Sequence, residues 1–138
     1  MSVLVEAVTS KRDREEFIDL AGKIYQGDPR WVPPIRSDLH RLLGWRRHAF
    51  YEHAESQAFI ARRDGEAVGR IAAIVNHAHL EIHREPVGFF GFFETIDDVE
   101  VAGALLDAAR QWLRPRQIER IRGPVSPSLH HECGLLVT

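Results

Sequence analysis

One cysteine, Cys133, is present among 138 residues, which excludes an internal disulfide framework and suits a reducing compartment. Long apolar runs are missing as well. The longest, around residues 71–75 and 87–93, are strand-sized and far short of a bilayer span. The first six residues carry no cationic segment followed by an apolar stretch, so no signal peptide is read. Excess charge of one sign is also absent: 18 Lys and Arg face 20 Asp and Glu, for a formal net charge of −2. That balance argues against a general nucleic-acid binder, which needs a strongly basic face. These absences predict a cytoplasmic protein with neither a membrane nor a nucleic-acid partner, and a length that fits one domain with a modest core.

The residues present give an order of elements. Alternation over 2–8 predicts a short strand, and Ser10 with Asp13 marks a helix start. Phe17, Leu20, Ala21 and Ile24 fall on one face of that helix, which Gly27-Asp28-Pro29 ends. A second short helix, opening at Pro34 and closed by Gly44, carries Leu39, Leu42 and Leu43. Residues 46–55 read as an irregular connector. Strands over 57–63 and 67–76 flank Asp64-Gly65, a strong hairpin signal. A third strand over 87–94 holds Phe89, Phe90, Phe92 and Phe93, with aromatic surface on both faces. Those rings suit a central strand covered on each side, or an apolar ligand slot. Asp97-Asp98 then cap a helix with a stripe of Val101, Leu105, Ala108, Ala109 and Trp112, which Pro115 stops. A strand over 118–124 follows, and 134–138 looks like the opening of another. A strand without a successor would find its neighbour elsewhere, as an edge that pairs with a second copy or inside a longer protein.

Four stretches stand out in this order: Gly27-Asp28-Pro29-Arg30-Trp31-Val32-Pro33-Pro34, Val68-Gly69-Arg70-Ile71-Ala72-Ala73-Ile74, Val87-Gly88-Phe89-Phe90-Gly91-Phe92-Phe93-Glu94, and Arg122-Gly123-Pro124 through Glu132-Cys133-Gly134-Leu135-Leu136. With the element order, they resemble the GNAT superfamily of N-acyltransferases, and more closely a poorly characterised GNAT-like family of longer bacterial proteins. The resemblance implies an α/β (α+β) fold, a mixed, mostly antiparallel sheet flanked by helices in the order β-α-α-β-β-β-α-β-(β). It implies that residues 1–138 form a single acyltransferase domain that is C-terminally incomplete. The implied donor is acetyl-CoA or another acyl-CoA, and the implied acceptor is an amine.

In that superfamily the third meander strand, here at Phe92 and Phe93, pairs with the pantetheine arm, and its backbone N–H polarises the thioester carbonyl. The following turn, of pattern Gln/Arg-x-x-Gly-x-Gly/Ala, wraps the pyrophosphate at a helix N-terminus. Aligned on Leu105-Leu106, the pattern places Asp97 at the Gln/Arg position, Glu100 at the first glycine and Ala102 at the Gly/Ala position, with Asp98 inside the turn and Gly103 one residue past it. Carboxylates thus stand where a cation and a glycine belong, although acids also suit a first helical turn on their own account. Glu94 sits where members often keep a carboxylate base, and equally reads as a solvated strand end. The usual general acid is a tyrosine after the fifth strand. Tyr25 and Tyr51 lie far upstream, so the expected acid falls beyond Thr138. The rival reading is a GNAT-fold ligand-binding or partner-binding domain that no longer binds CoA.

Three further groups are better explained structurally. His77, His79 and His83 lie at a strand end and the turn after it, and His130, His131, Glu132 and Cys133 form a second polar group; neither shows the tight ligand pairs of a metal site. Arg110, Arg114, Arg116, Arg120 and Arg122 suit the C-terminal end of a helix dipole.

Overall fold

Ser10 starts α1 (Lys11–Ile24) as its spacing to Asp13 predicts, its hydroxyl accepting from the Asp13 amide at 3.0 Å. In the computed structural model, which describes residues 2–128 and 132–134, this helix follows β1 (Leu4–Ala7) and buries Phe17, Ile18, Leu20 and Ala21. Gly27 turns the chain at φ +92°, and α2 (Arg36–Leu42) returns along α1. Arg36 ties the two helices together through Glu15 and, at 2.9 Å, Asp19. Gly44, at φ +80°, closes α2 as read.

The hairpin of β2 (Ala54–Arg63) and β3 (Glu66–Asn76) turns at Asp64 and Gly65, both with positive φ as a two-residue type I′ turn demands. The expected connector is shorter than its sequence suggested, because residues 49–52 form a 3-10 turn and β2 begins at Ala54. The turn expected around the three histidines is a helix, α3 (His77–His83), capped by Asn76 accepting from the His79 amide at 3.1 Å. After it come β4 (Val87–Thr95), α4 (Val99–Leu113), β5 (Arg120–Arg122), β6 (Val125–Ser126) and β7 (Glu132–Cys133).

The main sheet runs β1-β2-β3-β4-β5, antiparallel except for the β4–β5 pair, and β6 pairs with β7 separately. Successive side chains on the pleated strands point to opposite faces. On one face Ala58, Ile60, Ala72 and Phe92 pack against Phe17, Ile18 and Leu20 of α1 and Leu39 of α2. On the other, Phe59, Ala61, Ile71, Ala73 and Val75 pack against Val101, Leu105, Ala109 and Leu113 of α4. The stripe of α4 therefore ends on Leu113, while Trp112 is half-buried and carries the Arg116 guanidinium 3.7 Å from its ring centroid. Contact between α4 and the sheet is close at Gly69, where an added Cβ would lie 2.8 Å from both Val101 and Leu105.

Asp98 caps α4 by accepting from the Glu100 amide at 2.9 Å, and Arg63 at the end of β2 reaches the same carboxylate at 2.8 Å. The Arg63 hydrogen bond holds this carboxyl below its ordinary value of 3.8. Because the folded pKa is depressed, the stability it contributes is present above the unfolded value and is lost as pH falls through the folded one. Below pH 3.8, wild type should therefore lose melting temperature more steeply than Asp98→Asn; parallel curves would refute the linkage. Two glycines give a second check by urea unfolding. A Cβ on Gly91 would sit 1.5 Å from the Val125 carbonyl oxygen, so Gly91→Ala should cost about 3 kcal/mol. Gly103 faces open space in α4, and Gly103→Ala should gain about 1 kcal/mol.

Candidate functional site

β4 breaks its register against β3 at the Phe-Phe-Gly-Phe-Phe run. Ala72 pairs with Gly91 and Arg70 with Glu94, so Phe92 and Phe93 together oppose Ile71. This is a β-bulge, and Phe92 takes φ +52°, a left-handed conformation that costs a bulky residue about 1–3 kcal/mol. The bulge sends Phe92 to the α1 face, while Phe90 and Phe93 meet edge-to-face on the α4 side at 5.8 Å.

Side chains hold this conformation. The Phe92 carbonyl accepts from Arg70 Nε at 2.9 Å, and the Phe92 amide donates to Ser126 Oγ at 3.0 Å. Arg70 is 6% exposed, Nη1 donates to the Phe17 carbonyl at 2.9 Å, and its guanidinium lies 4.9 Å from the Phe17 ring centroid. A buried cation is tolerable only with such partners.

Glu94 follows the bulge, half-buried, and Tyr25 from the end of α1 lies beside it. Burial first, then the hydrogen bond and charge of Glu94, push the Tyr25 hydroxyl up to about 12, so it keeps its proton at neutral pH. The Tyr25 ring stacks on Trp31 at 5.7 Å and 18°. Trp31 also walls a cavity of about 260 Å³, with Ile18, Ala21 and Leu39 and the charged side chains of Asp19, Arg36 and Arg70. Tyr25, which the sequence reading set aside as far upstream, is thus brought beside Glu94. The spacing Phe17, Ala21, Tyr25 carried the signal, since residues four apart share a helix face. Arg70 was legible as a lone cation inside a buried apolar strand.

The structure brings Phe92, Phe93 and Glu94 together on β4. Asp97, Asp98, Ala102 and Gly103 lie around the start of α4, in a second group. β5 leaves β4 after the pair Phe89 and Arg122, and the sheet opens there. The chain then lies against the opened edge: the Val125 carbonyl covers Gly91, and Ser126 takes the Phe92 amide. At α4 the Asp98 carboxylate fills the anion position of the helix N-terminus, and Arg63 is engaged by Asp98 and, at 3.7 Å, by Glu100. A diphosphate does not fit this turn as it is folded.

Among the histidines, His79 bonds Glu85 at 2.8 Å and packs 4.4 Å from His83 by ring centroids. The described residues contain no group of three or more His, Cys, Asp or Glu side chains able to hold a metal. Three of the C-terminal arginines are paired: Arg110 with Asp107, Arg116 with Glu55 and Arg122 with Glu85. His130, His131 and residues 135–138, including most of the expected last strand, lie outside the described residues. No described helix is long and apolar enough to cross a membrane.

No family model matches the chain. Protein YghO of Escherichia coli (strain K12) is 34% identical over 134 residues, covering 97% of this chain and 34% of that protein. A bacterial ceramide synthase of Caulobacter vibrioides is 33% identical over 135 residues, covering 94% and 34%. The chain thus spans about a third of the length of these curated relatives. Among solved structures, a tandem GNAT protein from the clavulanic acid biosynthesis pathway superposes with TM-score 0.62 at 16% identity, over 83% of this chain and 34% of that one. The acetyltransferase AAC(6')-Iy, bound to a bisubstrate analogue, superposes with TM-score 0.60 at 20% identity, over 94% and 84%. An aminoglycoside acetyltransferase from an uncultured soil metagenomic sample gives 0.58 at 16% identity, over 87% and 75%. The mixed sheet, the break between β4 and β5 and these neighbours agree on the fold: the chain folds as the GNAT acetyltransferases it superposes on.

Proposed function

We propose that this domain serves N-acyl transfer, moving an acyl group from a thioester to an amine. The observation that carries this reading is the left-handed bulge of β4 with Glu94 and Tyr25 at its end, placed where the sheet opens. In such aminolysis the amine nitrogen forms the new C–N bond as the C–S bond breaks and the thiolate leaves. Glu94 takes the proton from the attacking nitrogen. Tyr25 remains a donor that orients the Glu94 carboxylate.

The donor is defined here by its thioester. Acetyl-CoA or a longer acyl-CoA is the natural probe, but its diphosphate would have to displace Asp98 from α4 or lie elsewhere. For the acceptor, two lines converge. The Caulobacter relative is named for ceramide, the amide of a long-chain amino alcohol, and the structural neighbours are acetyltransferases. Amide formation on an amine is common to both. The cavity that Trp31 walls would take an apolar part of that acceptor. A second reading, a GNAT-fold binding domain that has discarded CoA, is favoured by the occupied α4 terminus.

Calorimetric titration with acetyl-CoA, with free CoA as control, separates the two. Saturable binding is expected, and no heat at high concentration favours the second reading. If the diphosphate uses the α4 turn, Asp98→Ala should tighten acetyl-CoA binding by about fivefold, the equivalent of one like-charge contact of about 1 kcal/mol; an unchanged or weaker affinity places the diphosphate elsewhere. In a thiol-release assay with long-chain amines, Glu94→Gln should lower kcat on the order of 100-fold with the donor KM little changed. Activity of the variant within twofold of wild type would remove Glu94 from the role of base.

A further inference from the structure

Phe92 sends both of its backbone polar groups to side chains. Its carbonyl goes to Arg70 on β3, and its amide goes to Ser126 in the segment after β5. An aromatic residue does not rest at φ +52° unless its surroundings over-determine it. Here two side chains from different parts of the chain do so, one at each end of the same residue. We propose that Arg70 and Ser126 are positioning residues for acyl transfer, holding the β4 bulge in the geometry that presents Glu94 to the reacting groups. The proposal rests on the acyl-transfer reading of this site.

Arg70 does more than hold one carbonyl. Nη1 reaches the Phe17 carbonyl in α1, two turns before Tyr25, and the guanidinium packs on the Phe17 ring. The bulge that precedes Glu94 and the helix that carries Tyr25 are therefore referenced to a single rigid group. A guanidinium suits this task because its donors diverge in a fixed plane, whereas an ammonium is a compact point charge with freely rotating donors. Packing alone does not call for a cation at a position 6% exposed, where an apolar side chain would avoid the desolvation cost. Ser126 is fixed in turn by its neighbour: Val125 is 2% exposed, and its carbonyl lies over Gly91, where only a glycine leaves room. Neither side chain need touch substrate.

Ser126→Ala, Arg70→Lys and Arg70→Met in the same chain test this, with thermal melting, steady-state kinetics with a long-chain acyl-CoA and a long-chain amine, and amide resonances of 15N-labelled protein as readouts. Ser126→Ala should stay folded, lower kcat on the order of 10-fold to 100-fold with both KM values within about twofold, and move the amide resonances of Phe92, Phe93 and Glu94. Arg70→Lys should do the same, and Arg70→Met should lose at least as much. Folded Ser126→Ala and Arg70→Lys proteins with kcat within twofold of wild type and unmoved resonances would overturn the proposal. Should the arginine variants fail to fold, Ser126→Ala alone decides. If wild type turns over no thioester, the acyl-transfer reading falls, and the resonances still decide whether these side chains set the bulge: moved supports that role, unmoved ends it.

Discussion

The buried guanidinium of Arg70 is the contact on which the functional end of the domain depends. It bonds the carbonyl of a left-handed phenylalanine in β4 and a carbonyl of α1, 2.9 Å away in each case. A cation at this depth would be costly without those acceptors, and a left-handed Phe92 would be costly without a partner for its carbonyl. Each offsets the expense of the other. The result is a fixed relation between β4, which supplies Glu94, and α1, which supplies Tyr25. Lys23 and Glu66, 3.5 Å apart, bring the end of α1 to the start of β3, but that pair is exposed and screened and adds little.

The two groups of candidate residues, at β4 and at the start of α4, differ in what they offer a ligand. Around β4 lie an opened sheet edge, a distorted backbone, a carboxylate and a protonated tyrosine. At α4 the helix terminus that would greet a phosphate already holds a carboxylate of its own, and the nearest cation, Arg63, is neutralised by Asp98 and Glu100. The acidic turn is thus internally balanced. It is an N-cap with its own counter-ion, and this explains why aspartate and glutamate are tolerated there without strain.

Much of the scaffold was legible because local chemistry and global fold agree. Ser10 caps α1, Asp64-Gly65 turns the hairpin, Gly44 closes α2, and the four-residue spacing of Val101 and Leu105 lays α4 on the sheet. The illegible parts are those where tertiary contacts decide. The segment His-Ala-His-Leu-Glu-Ile-His shows no clear apolar period, and only the side chain of Asn76 marks the start of α3. The bulge has no local signature either, because Phe-Phe-Gly-Phe-Phe reads as a central strand buried on both faces. Its register change comes from Arg70 and Ser126, 22 and 34 residues away in sequence from the backbone groups they bind. Tyr25 lay within reach of the helix-face argument, but nothing in its neighbourhood announced that the face would meet Glu94.

The close seat of α4 on Gly69 limits how this end of the domain can respond to anything that binds there. With Val101 and Leu105 held against backbone that has no side chain to yield, α4 has no slack to slide or tilt toward a newcomer. Adjustment at its first turn falls to the Asp98 and Arg63 side chains rather than to a shift of the helix. Accommodation at α4 is therefore a local exchange of counter-ions, carried out over a rigid floor.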